Sequence, residues 1–199
     1  ELINIDFSEL TLPISFMEDW NLIGLPVTVE NPDYSILFPD AIDNTLYSFN
    51  GSYVNEDMLV PGSGFWLRFE NGGSVNITGG NILDQAMNLN AGWNLVSGIS
   101  QSVYLNDISD PDGLIIPGTL YGYGETGYME SWILEPGKGY WLSEKDRIRP
   151  ATRSSLGYIY RQRGFDLQRH PSPIQSHSSR GKTCIRRRSH QGPRDGSLR

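Results

Sequence analysis

At 199 residues, with 38% hydrophobic and 11% aromatic side chains, the chain has room for one or two small globular domains and none for a large enzyme. Its formal net charge of -7 is unevenly spread: residues 1–146 carry 21 Asp and Glu against Arg68, Lys138 and Lys145, and residues 147–199 carry 13 Arg and Lys against Asp166 and Asp195. The acidic body repels phosphate backbones, which argues against a nucleic-acid partner; every histidine (His170, His177, His190) and the single Cys184 sit in the tail, so the body cannot assemble a Ser/His/Asp, Cys/His or zinc site, nor a disulfide.

The chain opens at Glu1 directly in strand-like alternation, which reads as a cut from a longer protein. No stretch approaches the roughly 18 apolar residues of a spanning helix, so no membrane insertion is expected. Ile3, Ile5 and Phe7, then Leu10, Leu12, Ile14 and Phe16, follow the period of two expected of half-buried strands. Residues 1–10 read as the end of a preceding strand or a linker.

From there the chain is written twice. Trp20-Asn21-Leu22-Ile23 recurs as Trp93-Asn94-Leu95-Val96, Leu46-Tyr47 as Leu120-Tyr121, Tyr53 as Tyr128, and Pro61-Gly62-Ser63-Gly64-Phe65-Trp66-Leu67 as Pro136-Gly137-Lys138-Gly139-Tyr140-Trp141-Leu142. Met87 and Leu89 repeat the alternation that precedes the first tryptophan. In each Pro-Gly-x-Gly motif, proline fits the second position of a turn and the next glycine takes the positive φ of type II, launching the aromatic strand that follows. Length differences fall around Asp40–Asn44 and Asp107–Gly113, which read as loops. With 22 Gly and 12 Pro and no window of 3.6 periodicity, almost no helix is expected.

The order Trp-Asn-Leu-Ile-Gly-Leu-Pro (20–26), Leu46-Tyr47-Ser48-Phe49 and Pro-Gly-Ser-Gly-Phe-Trp-Leu (61–67) resembles a repeat of long secreted bacterial surface proteins, often associated with type IX secretion sorting domains. The resemblance covers about residues 11–146 and supplies no catalytic residues. It implies an extracellular or cell-surface location and neighbouring domains in a longer chain. Copy two departs from it with Ser97-Gly98 where copy one has Gly24-Leu25.

The recurring indoles Trp20, Trp66, Trp93 and Trp141 read as core, each able to bury roughly 150–250 Å² in modules of only marginal size. Trp132 aligns with Asp57 and is expected to be exposed; with Tyr34 and Tyr104 it forms the candidate ligand-contact set, suited to stacking on a sugar or contacting a surface protein. Asp107, Asp110 and Asp112 are weak calcium candidates in a loop without EF-hand spacing, so no metal is assigned. Gly122-Tyr123-Gly124-Glu125-Thr126-Gly127 has a dinucleotide-loop spelling but no helix behind it, and reads as a hairpin. No cofactor is expected.

The repeat pattern breaks after Trp141-Leu142, where Arg147-Ile148-Arg149-Pro150 replaces the strand that Ser74-Val75-Asn76-Ile77-Thr78 provides in copy one. The Arg- and Ser-rich remainder has a disordered composition and reads as a product of a shifted reading frame. The expectation is therefore all-β: two tandem antiparallel sandwich or partly closed barrel modules, 11–82 and 83–146, the second missing its last strand, then a disordered basic tail over 147–199. The expected role is a non-catalytic spacer or adhesion module, with carbohydrate binding as the alternative and a polysaccharide-acting enzyme fragment as a remote third.

Overall fold

The computed structural model describes residues 9–145; residues 1–8 and the basic tail from residue 146, with the disorder and frame-shift readings attached to it, lie outside the described residues. Copy one contains β1 (Glu9–Phe16), β2 (Asp19–Gly24), β3 (Val27–Thr28), a single helical turn α1 (Tyr34–Leu37), β4 (Tyr47–Phe49), β5 (Tyr53–Asn55), β6 (Gly64–Phe69) and β7 (Gly73–Asn81). Copy two contains β8 (Gly92–Ser97), β9 (Val103–Tyr104), a 3-10 turn (Leu105–Asp107), β10 (Tyr121–Gly124), β11 (Gly127–Glu130), β12 (Ile133–Leu134) and β13 (Gly139–Glu144). The protein is all-β, its described strand pairs are antiparallel, and none of the described sheets closes into a barrel.

The two copies build the same four-stranded sheet, β2-β6-β4-β5 and β8-β13-β10-β11. The register is also the same: Leu22 lies opposite Trp66 and Leu95 opposite Trp141, while Gly24 meets Gly64 and Ser97 meets Gly139. The repeated polar residues explain why the chain folds this way twice. Asn21 Oδ1 accepts the Met17 N–H at 2.9 Å while its Nδ2 donates to the carbonyls of Met17 at 2.9 Å and Asp19 at 3.0 Å. Asn94 does the same to the N–H and carbonyl of Asn90 and the carbonyl of Gly92. One amide thus satisfies three backbone groups in a tight bend, which a buried side chain must do to avoid an unmet polar cost. The bend needs a left-handed residue, supplied by Asp19 at φ 72° and Gly92 at φ 87°.

The Pro-Gly-x-Gly turns form as their spelling implies, with Gly62 at φ 84° and Gly137 at φ 78°, and with Ser63 N–H donating to Val60 and Lys138 N–H to Glu135.

Period-two alternation then distributes the side chains to both faces of each sheet. In copy one, Phe65, Leu67 and Phe69 of β6 and Ile23 of β2 point to a core closed by the outer sheet β1-β7-β3 through Ile14, Phe16, Val27 and Ile77. Phe16 stacks on Phe69 with ring centroids 3.8 Å apart and Phe38 meets both edge-on. The opposite face, carrying Trp20, Leu22 and Trp66, packs against Leu95 and Trp141 of copy two. The copies are tandem in sequence but face to face in space, around one aromatic cluster that belongs to both.

Pseudo-twofold symmetry governs that interface. Trp20 and Trp66 meet edge to face at 6.3 Å and 89°, Trp93 and Trp141 at 6.3 Å and 88°. Phe49 packs on Trp141 at 4.9 Å, and its counterpart Tyr123 packs on Trp66 at 4.8 Å. Backbone contacts are likewise reciprocal: Gly24 N–H donates to Gly137 carbonyl at 3.1 Å and Ser97 N–H to Gly62 carbonyl at 3.0 Å. Gly24 and Ser97, equivalent in the repeat, meet each other, and a Cβ on Gly24 would overlap Ser97 Cβ. The Gly-for-Ser difference between the copies is therefore a steric necessity where the two strands cross: two side chains do not fit.

Three predictions follow from this packing. Gly24→Ala should cost about 1–3 kcal/mol by overpacking, and Ser97→Gly in the same chain should recover most of it; urea denaturation of the single and double variants measures the coupling. Trp66→Ala should cost about 3–5 kcal/mol and speed amide exchange in β8 and β13 along with β2 and β6, whereas independent modules would confine the change to copy one. Burial pushes the Tyr140 phenol from 10.0 up to about 12, so the stability it contributes is complete below pH 10 and is lost as pH rises through 12. An alkaline titration followed by phenolate absorbance and by circular dichroism should therefore show the buried phenols ionising together with unfolding.

Candidate functional site

Of the three ligand-contact candidates, two are on the surface and one is not. Tyr34 is only 6% exposed: it opens α1, packs into the copy-one core, and its hydroxyl accepts the Asn44 N–H at 2.7 Å. Its expected exposure is thus corrected: the ring is part of the copy-one core, and its hydroxyl keeps a partner there in the Asn44 N–H. Trp132 and Tyr104, in contrast, are 68% and 53% exposed. They lie on one short ribbon, β9 paired with β12, where Tyr104 faces Ile133 and Leu105 N–H donates to the Trp132 carbonyl at 2.9 Å. Ser131 fixes the bend before the indole: its N–H donates to Leu120 carbonyl at 2.8 Å and its Oγ to Ile133 carbonyl at 2.8 Å. In copy one the matching bond runs from Tyr34 N–H to Asp57 carbonyl at 3.1 Å, so Trp132 and Asp57 are structural equivalents on an outer surface.

The four repeated indoles are taken up by packing. Trp20, Trp66 and Trp141 are buried and Trp93 is half-buried against the same cluster. Burial raises the phenols of Tyr53 and Tyr128 above their ordinary value, with the indoles of Trp66 and Trp141 respectively pulling weakly the other way.

The acidic loop has a structural use. Asp110 accepts Leu114 N–H at 3.0 Å on one oxygen and Ile115 N–H at 2.9 Å on the other, which together hold its carboxyl below the usual range. Lys145 Nζ donates to Gly113 carbonyl at 2.7 Å across the same loop. Asp107 and Asp112 flank this turn, and among the described residues no group of three or more His, Cys, Asp or Glu is placed to hold a metal. The glycine-rich stretch 122–127 is a hairpin, with Tyr123 opposite Tyr128 and Gly124 opposite Gly127.

Comparison with family models, curated proteins and solved structures returns no match.

The feature that sequence reasoning missed is a cleft in copy two, of about 670 Å³. It is lined by residues of the segments 83–89, 97–103 and 107–115 together with Leu134 and Leu142, and Asp84, Asp107, Asp110 and Asp112 are among them. The signal that could have revealed it was Met87 and Leu89: they repeat the alternation of β1, while the described residues of copy two hold no counterpart of β7.

Proposed function

We propose that the chain is a non-catalytic spacer or adhesion module of a secreted or cell-surface protein. What supports this is the use to which the repeated residues are put: the tryptophans fill the shared cluster, Asn21 and Asn94 close bends, and the Pro-Gly turns interlock the copies. A sequence that invests its recurring polar and aromatic groups in rigidity delivers a stiff, reproducible unit of length and surface. The location rests on the resemblance of the repeat to those of secreted bacterial proteins.

A second reading, binding of an extracellular glycan, is favoured by one observation: an indole 68% exposed directly before β12 and a tyrosine 53% exposed on β9. Flat aromatic faces of this kind stack on sugar rings.

The two readings separate in a glycan-array screen of the full chain with Trp132→Ala as control. Silence of both proteins supports the spacer; a signal that the variant loses supports the glycan reading. Because Trp132 is exposed, its replacement should change stability by no more than about 0.5 kcal/mol, which thermal unfolding checks.

A further inference from the structure

The layers of the molecule are unequal. Copy one's four-stranded sheet is covered on its outer face by β1-β7-β3, and copy two's sheet has no such cover among the described residues. The acceptor side of that missing layer is nevertheless in place. Segment 82–90 is the counterpart of β1, and from Gln85 to Asn90 it keeps β1's alternation, with Gln85, Met87 and Leu89 turned inward and Ala86, Asn88 and Asn90 outward. No residue from Leu83 to Leu89 belongs to a strand, and none of them has a backbone–backbone hydrogen bond to the other described residues. In copy one the corresponding backbone is paired along its whole length with β7, from Glu9 opposite Gly80 to Phe16 opposite Gly73.

The cleft occupies the place where β7 would lie. It is lined by residues of 83–89, by Leu134 and Leu142 of the copy-two core, and by residues of 97–103, which contains the counterpart of β3. Ser100 N–H donates to Ile82 carbonyl at 3.2 Å and Ile82 N–H to Ser100 Oγ at 2.7 Å, which ties the two segments together where they begin.

We propose that this cleft is a strand-acceptor site that takes an extended segment of another polypeptide, hydrogen-bonded antiparallel to residues 83–89. The chemistry of the occupant is read from β7, whose Val75 and Ile77 turn toward the copy-one core and whose sequence Gly73–Asn81 contains no acid. A donor strand therefore carries β-branched apolar residues at alternate positions and lacks acidic side chains, since four aspartates line the cleft. In the sequence directly after β13, Arg147-Ile148-Arg149-Pro150, the residue that aligns with Val75 is a proline, which has no N–H to give to a strand partner. The inference stands independently of the spacer and glycan readings, since it concerns a different surface.

The test is titration of the full chain with a labelled synthetic peptide of residues 73–81, with hydrogen exchange mapped in the free and bound protein. The expected result is saturable binding that slows exchange of the amides at 83–89 and leaves β1 and β7 unchanged, with the peptide bearing Val75→Asp and Ile77→Asp binding weaker by about tenfold or more. Absence of saturable binding overturns the proposal. So does slow exchange at 83–89 in the free chain, which would mean that the chain fills its own cleft, or faster exchange in β1, which would mean that the peptide merely displaces its native twin.

Discussion

Two strands crossing at Gly24 and Ser97 fix the distance between the sheets, and everything else in the molecule accommodates to that distance. At this crossing the Pro-Gly turns of each copy reach the other copy's backbone: Gly24 N–H to Gly137 carbonyl, Ser97 N–H to Gly62 carbonyl. Such close backbone approach is possible only where side chains are missing. A Cβ on Gly64 would lie 2.5 Å from Val96 carbonyl oxygen, and one on Gly139 would lie 2.7 Å from that of Ile23. The glycines that launch the aromatic strands thus do two jobs, shaping a turn and admitting the neighbouring copy. The indoles then fill the space on the pseudo-axis, Trp66 meeting Tyr123 and Trp141 meeting Phe49 edge to face, an arrangement that favours the positive ring edge over the negative face.

Much of this was legible in the sequence. The strands, the type II turns at Gly62 and Gly137, the hairpin at 122–127 and the exposure of Trp132 all follow from local rules: alternation, positive φ, or the improbability of burying an indole where the sister repeat has Asp57. Long-range partners were not legible. Alternation says that Trp66 and Phe65 point to opposite faces, but both faces of the sheet are buried, and nothing in the spacing says which neighbour covers which. The burial of Tyr34 escaped for a related reason: its partner is the N–H of Asn44, a loop residue whose left-handed backbone has no counterpart tyrosine pairing to reveal it.

Symmetry in the centre coexists with asymmetry at the periphery. The inner sheets match in strand order, register and ring angles, whereas the outer layers diverge: a three-stranded sheet over copy one, an open acidic cleft over copy two. The position held by Phe69 in copy one, stacked on Phe16, is held by the buried Glu144 in copy two, and Leu89 stands where Phe16 does. The inner faces are therefore constrained by each other's shape, while the outer faces have no such mutual contact.

Because the indole-bearing face of each repeat is sealed only by its sister, a single repeat is not a complete object: its Trp66 or Trp141 would stand in water. The smallest heritable unit is the pair. A chain of this kind that lengthens or shortens by duplication and loss must do so in steps of two, and an odd count would leave one orphaned aromatic face in search of another chain.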